Sequence, residues 1–444
     1  MRMNVKKINS LKSIVLAVLL VVMTSINTIA SAQTNTGEIP GLIAESAIVM
    51  DMDTKEVIAS NNADKKMPVA STIKLLTALI FAENISKTEE ISFTEDSLKT
   101  TQTALNNFLK VQPGDKISSN DLMKAVMIFS ANDAAYLMAD AVSGSTQEFL
   151  KIMNDRVKEM GLKNTVIYNP SGLENDALNP DSKDINTSTA YDMAVIAIEA
   201  YKNEWIKEIV SDKYKNTSVT IEQTPIMIET RNKILGQNGN VGGKTGTETK
   251  AGHCFVGFYE RDGRNLVTVA LKSEYGADGT NVFNDTKKIA DYGYKSEKQI
   301  YKKAGEVIGE VKLDYKAFGI IGPSKTITAP ILATEDIMYY KNTLNDKSII
   351  LNTDIDKSAW KTAGKKIAMS ISLPNSEIEI NGKVDISIFD LIKSNIIIYL
   401  VMLIVIGLII VIGLIIRQRI EANKRRNRFS SKKRNKFSNR RRRR

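Results

Sequence analysis

Twenty-one consecutive uncharged residues, Ile396 to Ile416, have no place on the surface of a water-soluble domain, and they divide this 444-residue chain before any motif is read. At about 1.5 Å rise per residue, a helix of that length crosses a hydrocarbon layer of about 30 Å. Its apolar side chains go all the way round, which excludes a helix lying in the interface with one wet face. From Arg417 to Arg444 there are 15 Lys or Arg against one acid, Glu421. A basic run directly after a span reads as a stop-transfer, positive-inside tail held near anionic lipid, so no nucleic-acid partner is expected. The tail 417–444 is expected in the cytoplasm, and the chain before the span outside.

The other end reads as an export signal over residues 1–32. It has a basic start (Arg2, Lys6, Lys7, Lys12), an apolar run Ile14 to Met23, and small residues Ala30-Ser31-Ala32 where a peptidase would cut. The whole chain is +11, yet residues 33–395, with both ends set aside, are net acidic. One cysteine (Cys254) and one histidine (His253) rule out an internal disulfide and a zinc site built on two or three His or Cys ligands. No metal or cofactor is called for. A hydrolase of this composition takes its base from something other than histidine, unless His253 supplies it.

A polar linker, 33–40, precedes a hairpin expected from Ser46 to Met52 and Glu56 to Ser60. A run with apolar residues on nearly all sides (Ile73, Leu75, Leu76, Leu79, Ile80, Phe81) predicts a buried helix of about 15 residues opening at Ser71. Helices are expected at Ser119–Phe129, Ala131–Val142, Thr146–Met160, Thr189–Glu199 and Asn281–Tyr294, with strands at Cys254–Tyr259 and Leu266–Lys272. Beyond residue 297 come short alternating segments, Ile349–Leu351, Lys366–Leu373 and Glu377–Ile380, separated by turn residues. The expected organisation is a catalytic α/β (α+β) domain at 41–296, a small all-β domain at 297–390, and the span at 396–416.

Three short motifs carry the chemistry. Ser71-Thr72-Ile73-Lys74 places a hydroxyl and an amine on one helix face at a helix N-terminus, whose free N–H groups favour an oxyanion. Ser130-Ala131-Asn132 falls between two helices, where a hydroxyl and an amide project into a cleft. Lys244-Thr245-Gly246-Thr247 follows Gly242-Gly243 as a strand edge open to close approach, and it brings a second ammonium that would help burial to lower the pKa of Lys74. Each is weak alone: Ser358–Lys361 and Ser430–Lys433 repeat the first pattern, and Ser118-Ser119-Asn120, read as a helix cap, repeats the second. His253 and Cys254 beside the third motif are read as structural, and Trp205 and Trp360 as packing residues.

In this order and on these elements, the motifs resemble the low-molecular-mass penicillin-binding proteins that act as serine D-alanyl-D-alanine carboxypeptidases, relatives of the serine β-lactamases. Pro68-Val69-Ala70, Asn169 to Leu173, Ser188-Thr189-Ala190 with Asp192, Arg231-Asn232 with Leu235, Ala251-Gly252 and Tyr292-Gly293-Tyr294 extend the likeness over 41 to about 296. Ala131 stands where β-lactamases commonly have Asp, Thr247 where some members have His, and many relatives use an amphipathic anchor where this chain spans.

The resemblance implies a β-lactamase/transpeptidase-like fold, with Ser71 as nucleophile, Lys74 as base and Ser130 as proton relay. Asn132, Lys244, Thr245, Gly246, Thr247 and Arg231 would bind substrate, with the Ser71 and Thr247 N–H groups as oxyanion hole. The implied substrates are peptidoglycan stem peptides ending in D-alanyl-D-alanine, and β-lactams are the implied covalent inhibitors. Two rival readings remain. A β-lactamase would use a glutamate in Glu-x-x-Leu-Asn, which Glu174 misses by one residue before Leu178-Asn179; a non-catalytic peptidoglycan-binding or β-lactam-sensing protein would signal through the span.

Overall fold

Strict alternation of apolar side chains on two sides of a strand needs a core on each side, and the central sheet meets that demand in detail. This computed structural model describes residues 37–211 and 214–441, so the segment expected to be an export signal lies outside the described residues. Five antiparallel strands run in the order Val57–Asn61, Ser46–Asp51, Arg264–Ser273, Gly252–Arg261, Asn240–Glu248. Ile48, Met50, Val256, Phe258, Val267, Val269 and Leu271 enter the larger core, packed with helices. Their neighbours Ala47, Val49, Phe255, Tyr259, Leu266 and Ala270 face the opposite way, into a second core with Val282, Phe283, Ile289 and Ala290 of the helix Asn281–Lys295.

The helix Lys74–Asn84 runs through the larger core, with every residue from Lys74 to Phe81 buried. Its all-round apolar sequence matches that position, at about 1.5–3 kcal/mol for each large side chain withdrawn from water. It does not open at Ser71: a single 3-10 turn, Ala70–Ile73, precedes it. The expected helix 119–129 is also two pieces, an α-helix Ser119–Lys124 followed by a π turn Ala125–Phe129. Ser118 is its cap, accepting from the Asp121 N–H at 3.1 Å. Helices Asn132–Ser143, Thr146–Glu159 and Ala190–Lys202 lie within about three residues of their expected bounds.

A four-stranded sheet was not anticipated in the helical middle: Glu90–Ser92, Lys116–Ser118, Asn216–Ile221 and Thr224–Glu229. The first two strands have three residues each, too few for a period to register. The last two do alternate, with Val219, Ile221, Ile226 and Ile228 buried.

The described chain divides into two compact units, the first reaching Gln299 and including Tyr339–Ile349 and Leu373–Ser376. Within the first, Asn342 and Asn345 both donate side-chain N–H groups to the Val57 carbonyl, at 3.0 and 2.9 Å. The second unit is built on a five-stranded sheet in the order Val307–Phe318, Ile321–Ala333, Ser376–Val384, Lys366–Leu373, Ile350–Asn352. It is not purely β. Short helices Ala359–Thr362 and Ile388–Lys393 pack Ala359 and Leu391 against Leu313 and Val384. A final helix, Ile396–Arg441, includes a stretch, Ile396–Arg428, long and apolar enough to cross a membrane.

Asp285, buried on the helix Asn281–Lys295, accepts from the Ile43 and Ala44 N–H groups at 3.0 and 2.8 Å and from the Ser273 hydroxyl at 2.9 Å. Asp285→Ala strands three donors and lowers the unfolding free energy by about 3 kcal/mol in urea titration; a loss under about 1 kcal/mol would show that solvent replaces the carboxylate.

Candidate active site

Ser71 owes its position to a backbone turn that the sequence barely advertises. Ala70 has φ +47°, a left-handed value unusual for a residue with a side chain, and it turns the chain out of Met67–Pro68 into the helix. Two glycines let the surrounding chain close on that turn. A Cβ at Gly172 would lie 2.1 Å from the Ala70 carbonyl oxygen, and one at Gly246 would lie 2.9 Å from the Ser71 nitrogen. The strand Asn240–Glu248 thus runs directly against the nucleophile turn, which brings Thr245, Gly246 and Thr247 to the cleft beside Ser71.

Lys74 is fully buried. Its Nζ lies 2.9 Å from Ser71 Oγ, 2.6 Å from Asn132 Oδ1 and 2.6 Å from the Ser171 carbonyl. The Asn169–Leu173 turn aims that carbonyl: Asn169 Oδ1 accepts from the Ser171 N–H at 3.2 Å, the Ser171 hydroxyl at 3.0 Å and the Gly172 N–H at 2.7 Å. A charged ammonium donates to all three oxygens. A neutral amine donates to two and turns its lone pair on the third, and Ser71 Oγ is the one with a proton to give.

Burial drives the Lys74 pKa down to about 7, while the carboxylates of Glu248 and Asp133 pull it back up. The second ammonium stands close by, and the repulsion between the two is mutual. Lys244 is depressed well below its ordinary range, by burial first and then by the charges of Lys74 and Arg231.

Lys244 Nζ donates to Ser130 Oγ at 2.8 Å, which puts a second serine–lysine pair across from the first. Ser130 does not open the next helix, which begins at Asn132; it closes the π turn, standing in the left-handed region at φ +68°, ψ 33°. Asn132 ties the site to its far wall, with its N–H on the Thr103 carbonyl at 2.8 Å and its Nδ2 on the Gln102 carbonyl at 2.6 Å. Arg231 lines the same cleft, its guanidinium 4.8 Å from the Phe129 ring centre. All the residues singled out in the three motifs, and Arg231, therefore meet at or directly beneath one cleft.

Several cleft residues escaped the sequence reading. Gln102 Nε2 donates to Glu248 Oε1 at 3.1 Å, and Lys233, His253 and Tyr275 line the opposite end. Cys254 is structural as expected, buried in the larger core with its thiol pushed up to about 12 by burial. His253 is not merely structural. It pairs with Thr247 across the two strands, lines the cleft, and stacks on Tyr275 at 5.1 Å between ring centres. Its pKa is down to about 4, from burial and the nearby Lys233 charge, so it is neutral at pH 7, and its Nδ1 has no hydrogen-bond partner. The strand register places His253 there, since residues opposite one another share a face. Trp205 and Trp360 pack as expected, Trp205 tilted on Phe81 and Trp360 on Tyr315.

Glu174, the near-miss for a water-activating glutamate, accepts the Ala251 N–H at 2.9 Å and the Lys250 N–H, which occupies it as a loop staple. Among the described residues no group of three or more His, Cys, Asp or Glu is placed to hold a metal.

A serine hydroxyl on a buried lysine, faced by a serine–lysine pair from the opposite wall, is an arrangement suited to a serine peptidase. The chain belongs to the D-alanyl-D-alanine carboxypeptidase family, peptidase family S11, whose family model matches residues 32–274. It is similar to the D-alanyl-D-alanine carboxypeptidase DacC of Escherichia coli, 32% identical over 276 residues that make up 60% of this chain and 65% of that protein. DacF of Bacillus subtilis is 28% identical over 275 residues, 61% of this chain and 67% of that protein. Thus the match spans about two thirds of the length of these curated relatives. Penicillin-binding protein D2 from Listeria monocytogenes, solved with ampicillin bound, superposes with a TM-score of 0.50 at 28% identity, over 58% of this chain and 99% of that one.

Gly172→Ala meets both a left-handed φ of +84° and the Ala70 carbonyl, whereas Gly161→Ala, at φ +73°, meets nothing within 4 Å. The second substitution costs about 1 kcal/mol in chemical denaturation and the first clearly more; equal costs would mean that the Ala70 turn yields freely.

Proposed function

We propose that this protein is a membrane-anchored serine D-alanyl-D-alanine carboxypeptidase that removes the terminal D-alanine from peptidoglycan stem peptides through an acyl-enzyme on Ser71. The observation that carries this reading is the Lys74 amine, dry and within hydrogen-bond distance of Ser71 Oγ. Lys74 in its neutral form takes the Ser71 proton as Oγ bonds to the carbonyl carbon between the last two D-alanines. The Ser71 and Thr247 N–H groups hold the oxyanion, a contribution of about 3 kcal/mol per donor in comparable sites. The proton passes through Ser130 to the leaving nitrogen, the C–N bond breaks, and D-alanine departs. Water then adds to the ester carbonyl, returns a proton to Ser71 Oγ and frees the shortened peptide.

Lys244, Thr245, Thr247 and Arg231 receive the terminal carboxylate, and Gly246 leaves room for the peptide backbone. Asn132 holds Lys74 from one side and offers its amide to the substrate. A β-lactam acylates the same serine, and because its leaving nitrogen stays tethered in the opened ring, the acyl-enzyme persists. On the same reading the chain is exported by its N-terminal signal, and Ile396–Ile416 crosses the bilayer once. The positive-inside rule then puts the basic tail in the cytoplasm and the catalytic unit outside.

Incubation of a muramyl pentapeptide with the detergent-solubilised full chain should give loss of one alanine by mass spectrometry, and Ser71→Ala should give none. An intact pentapeptide with the wild type would overturn the carboxypeptidase reading.

The pH dependence has a definite sign. With the base near pKa 7 and active when unprotonated, the rate of Ser71 acylation by a fluorescent penicillin rises about tenfold per unit below pH 7 and levels off above it. A profile flat from pH 5 to 9 would remove Lys74 from the role of base.

A further inference from the structure

The second unit exposes an apolar hairpin tip beside the start of the spanning helix. The strands Val307–Phe318 and Ile321–Ala333 meet in a turn that runs Ala317-Phe318-Gly319-Ile320-Ile321-Gly322. Ile320 is 86% exposed and Ile321 68%, values that a water-facing turn has no reason to hold with two isoleucines. The short helix Ile388–Lys393 adds Ile388, Phe389 and Ile392, all exposed, while its Leu391 is buried.

The final helix fixes where this tip lies. Tyr399 stands three residues inside the apolar run, so its backbone is about 4.5 Å below the first residue, Ile396. Its hydroxyl donates to the Ala317 carbonyl, and its ring meets Phe318 edge-on at 5.3 Å between centres. Further contacts pin the junction: Asn395 Nδ2 donates to Tyr315 Oη at 3.4 Å, and the Tyr315 and Ser394 hydroxyls lie 2.9 Å apart. A helix that enters hydrocarbon at Ile396 therefore carries the hairpin tip to the membrane boundary with it.

The tip is chemically suited to that depth. Its turn closes its own hydrogen bonds, Gly319 N–H to Lys316 carbonyl and Ile320 N–H to Phe318 carbonyl, both at 3.0 Å, so little backbone polarity is offered to lipid. Lys316 and Lys325 flank it, and Lys325 Nζ reaches back to the Ser394 carbonyl at 3.4 Å, towards the headgroup level. The one acid on the short helix, Asp390, is engaged by the Ser387 N–H and hydroxyl at 3.0 and 2.6 Å.

We infer that the Ile320–Ile321 hairpin tip, together with Ile388, Phe389 and Ile392, is a lipid-contact surface that inserts into the outer interface of the bilayer. The second unit is thereby seated on the membrane rather than tethered above it. This rests on the reading that Ile396–Ile416 spans.

The test uses the full chain in phospholipid vesicles, with an environment-sensitive fluorophore on single cysteines at Ile320→Cys, Glu335→Cys and Leu408→Cys. Native Cys254 is buried and unlabelled in the folded protein. Glu335 is exposed beyond the far end of the strand that begins at Ile321, about 45 Å from the tip by strand rise. The expected result is a blue-shifted label at 320, quenched at least twofold more than at 335 by a lipid nitroxide at shallow depth, with 408 quenched by a deep one. A wet label at 320 with a deep label at 408 overturns the lipid surface and leaves the span intact. A blue-shifted but unquenched label at 320 overturns it in favour of contact between protein copies. An unquenched 408 removes the span and the inference together.

Discussion

A lysine amine kept dry is the constraint from which the rest of the first unit follows. Lys74 has no bulk water around it, and burial lowers its proton affinity until the neutral form is populated near pH 7. The helix that carries it must then be apolar on every side, and it needs cores above and below, which the sheet and the surrounding helices provide. An amine in that position still requires hydrogen-bond partners. The Ser171 carbonyl and Asn132 Oδ1 supply them, and each is held by a loop braced for that purpose.

The same constraint explains why the nucleophile turn is crowded with backbone. Water is kept from Lys74 by chain segments that crowd the turn closer than any side chain would allow, with Gly172 on one side and Gly246 on the other. Ala70 and Ser130, the residue before the nucleophile and the proposed relay, both take left-handed conformations. The charge problem is met in the same space: of two lysines that would repel if both were protonated, Lys74 feels the carboxylates of Glu248 and of Asp133, itself raised to about 6 by burial.

Much of this was legible in the sequence because the chemistry is carried by contiguous motifs on periodic elements. The all-round apolar helix, the alternation of the central strands and the three triplets each leave a local trace, and together they named the family that the comparison with known proteins then showed. What could not be read arises from contacts distant in sequence or from single backbone angles. The turn at Ala70 depends on one φ value, and the π turn before Ser130 depends on a hydrogen bond from the Ser130 N–H to the Ala125 carbonyl. Glu248 and Gln102 meet across the cleft although 146 residues separate them. The place of His253 followed from register, which needs the partner strand. The second unit was read as wholly β because its two short helices, four and six residues long, are below the length at which a helical period shows.

The order of the central strands sets a timetable for assembly. Ser46 pairs with Leu271, and Val57 receives Asn342 and Asn345, so the first hairpin made is among the last to gain its neighbours. Gly246 must arrive before the turn at Ser71 is enclosed. A chain emerging with its N-terminus first therefore exposes the apolar residues of Ser46–Asp51 and of the Lys74 helix through most of its synthesis, and closes over them only when the strands after residue 240 are available. Topology of this kind folds slowly and leans on protection from aggregation during the wait. It also has a protective side. Until the last central strands dock, Lys74 stays hydrated and charged, so the unfinished chain holds Ser71 beside an ammonium rather than an amine.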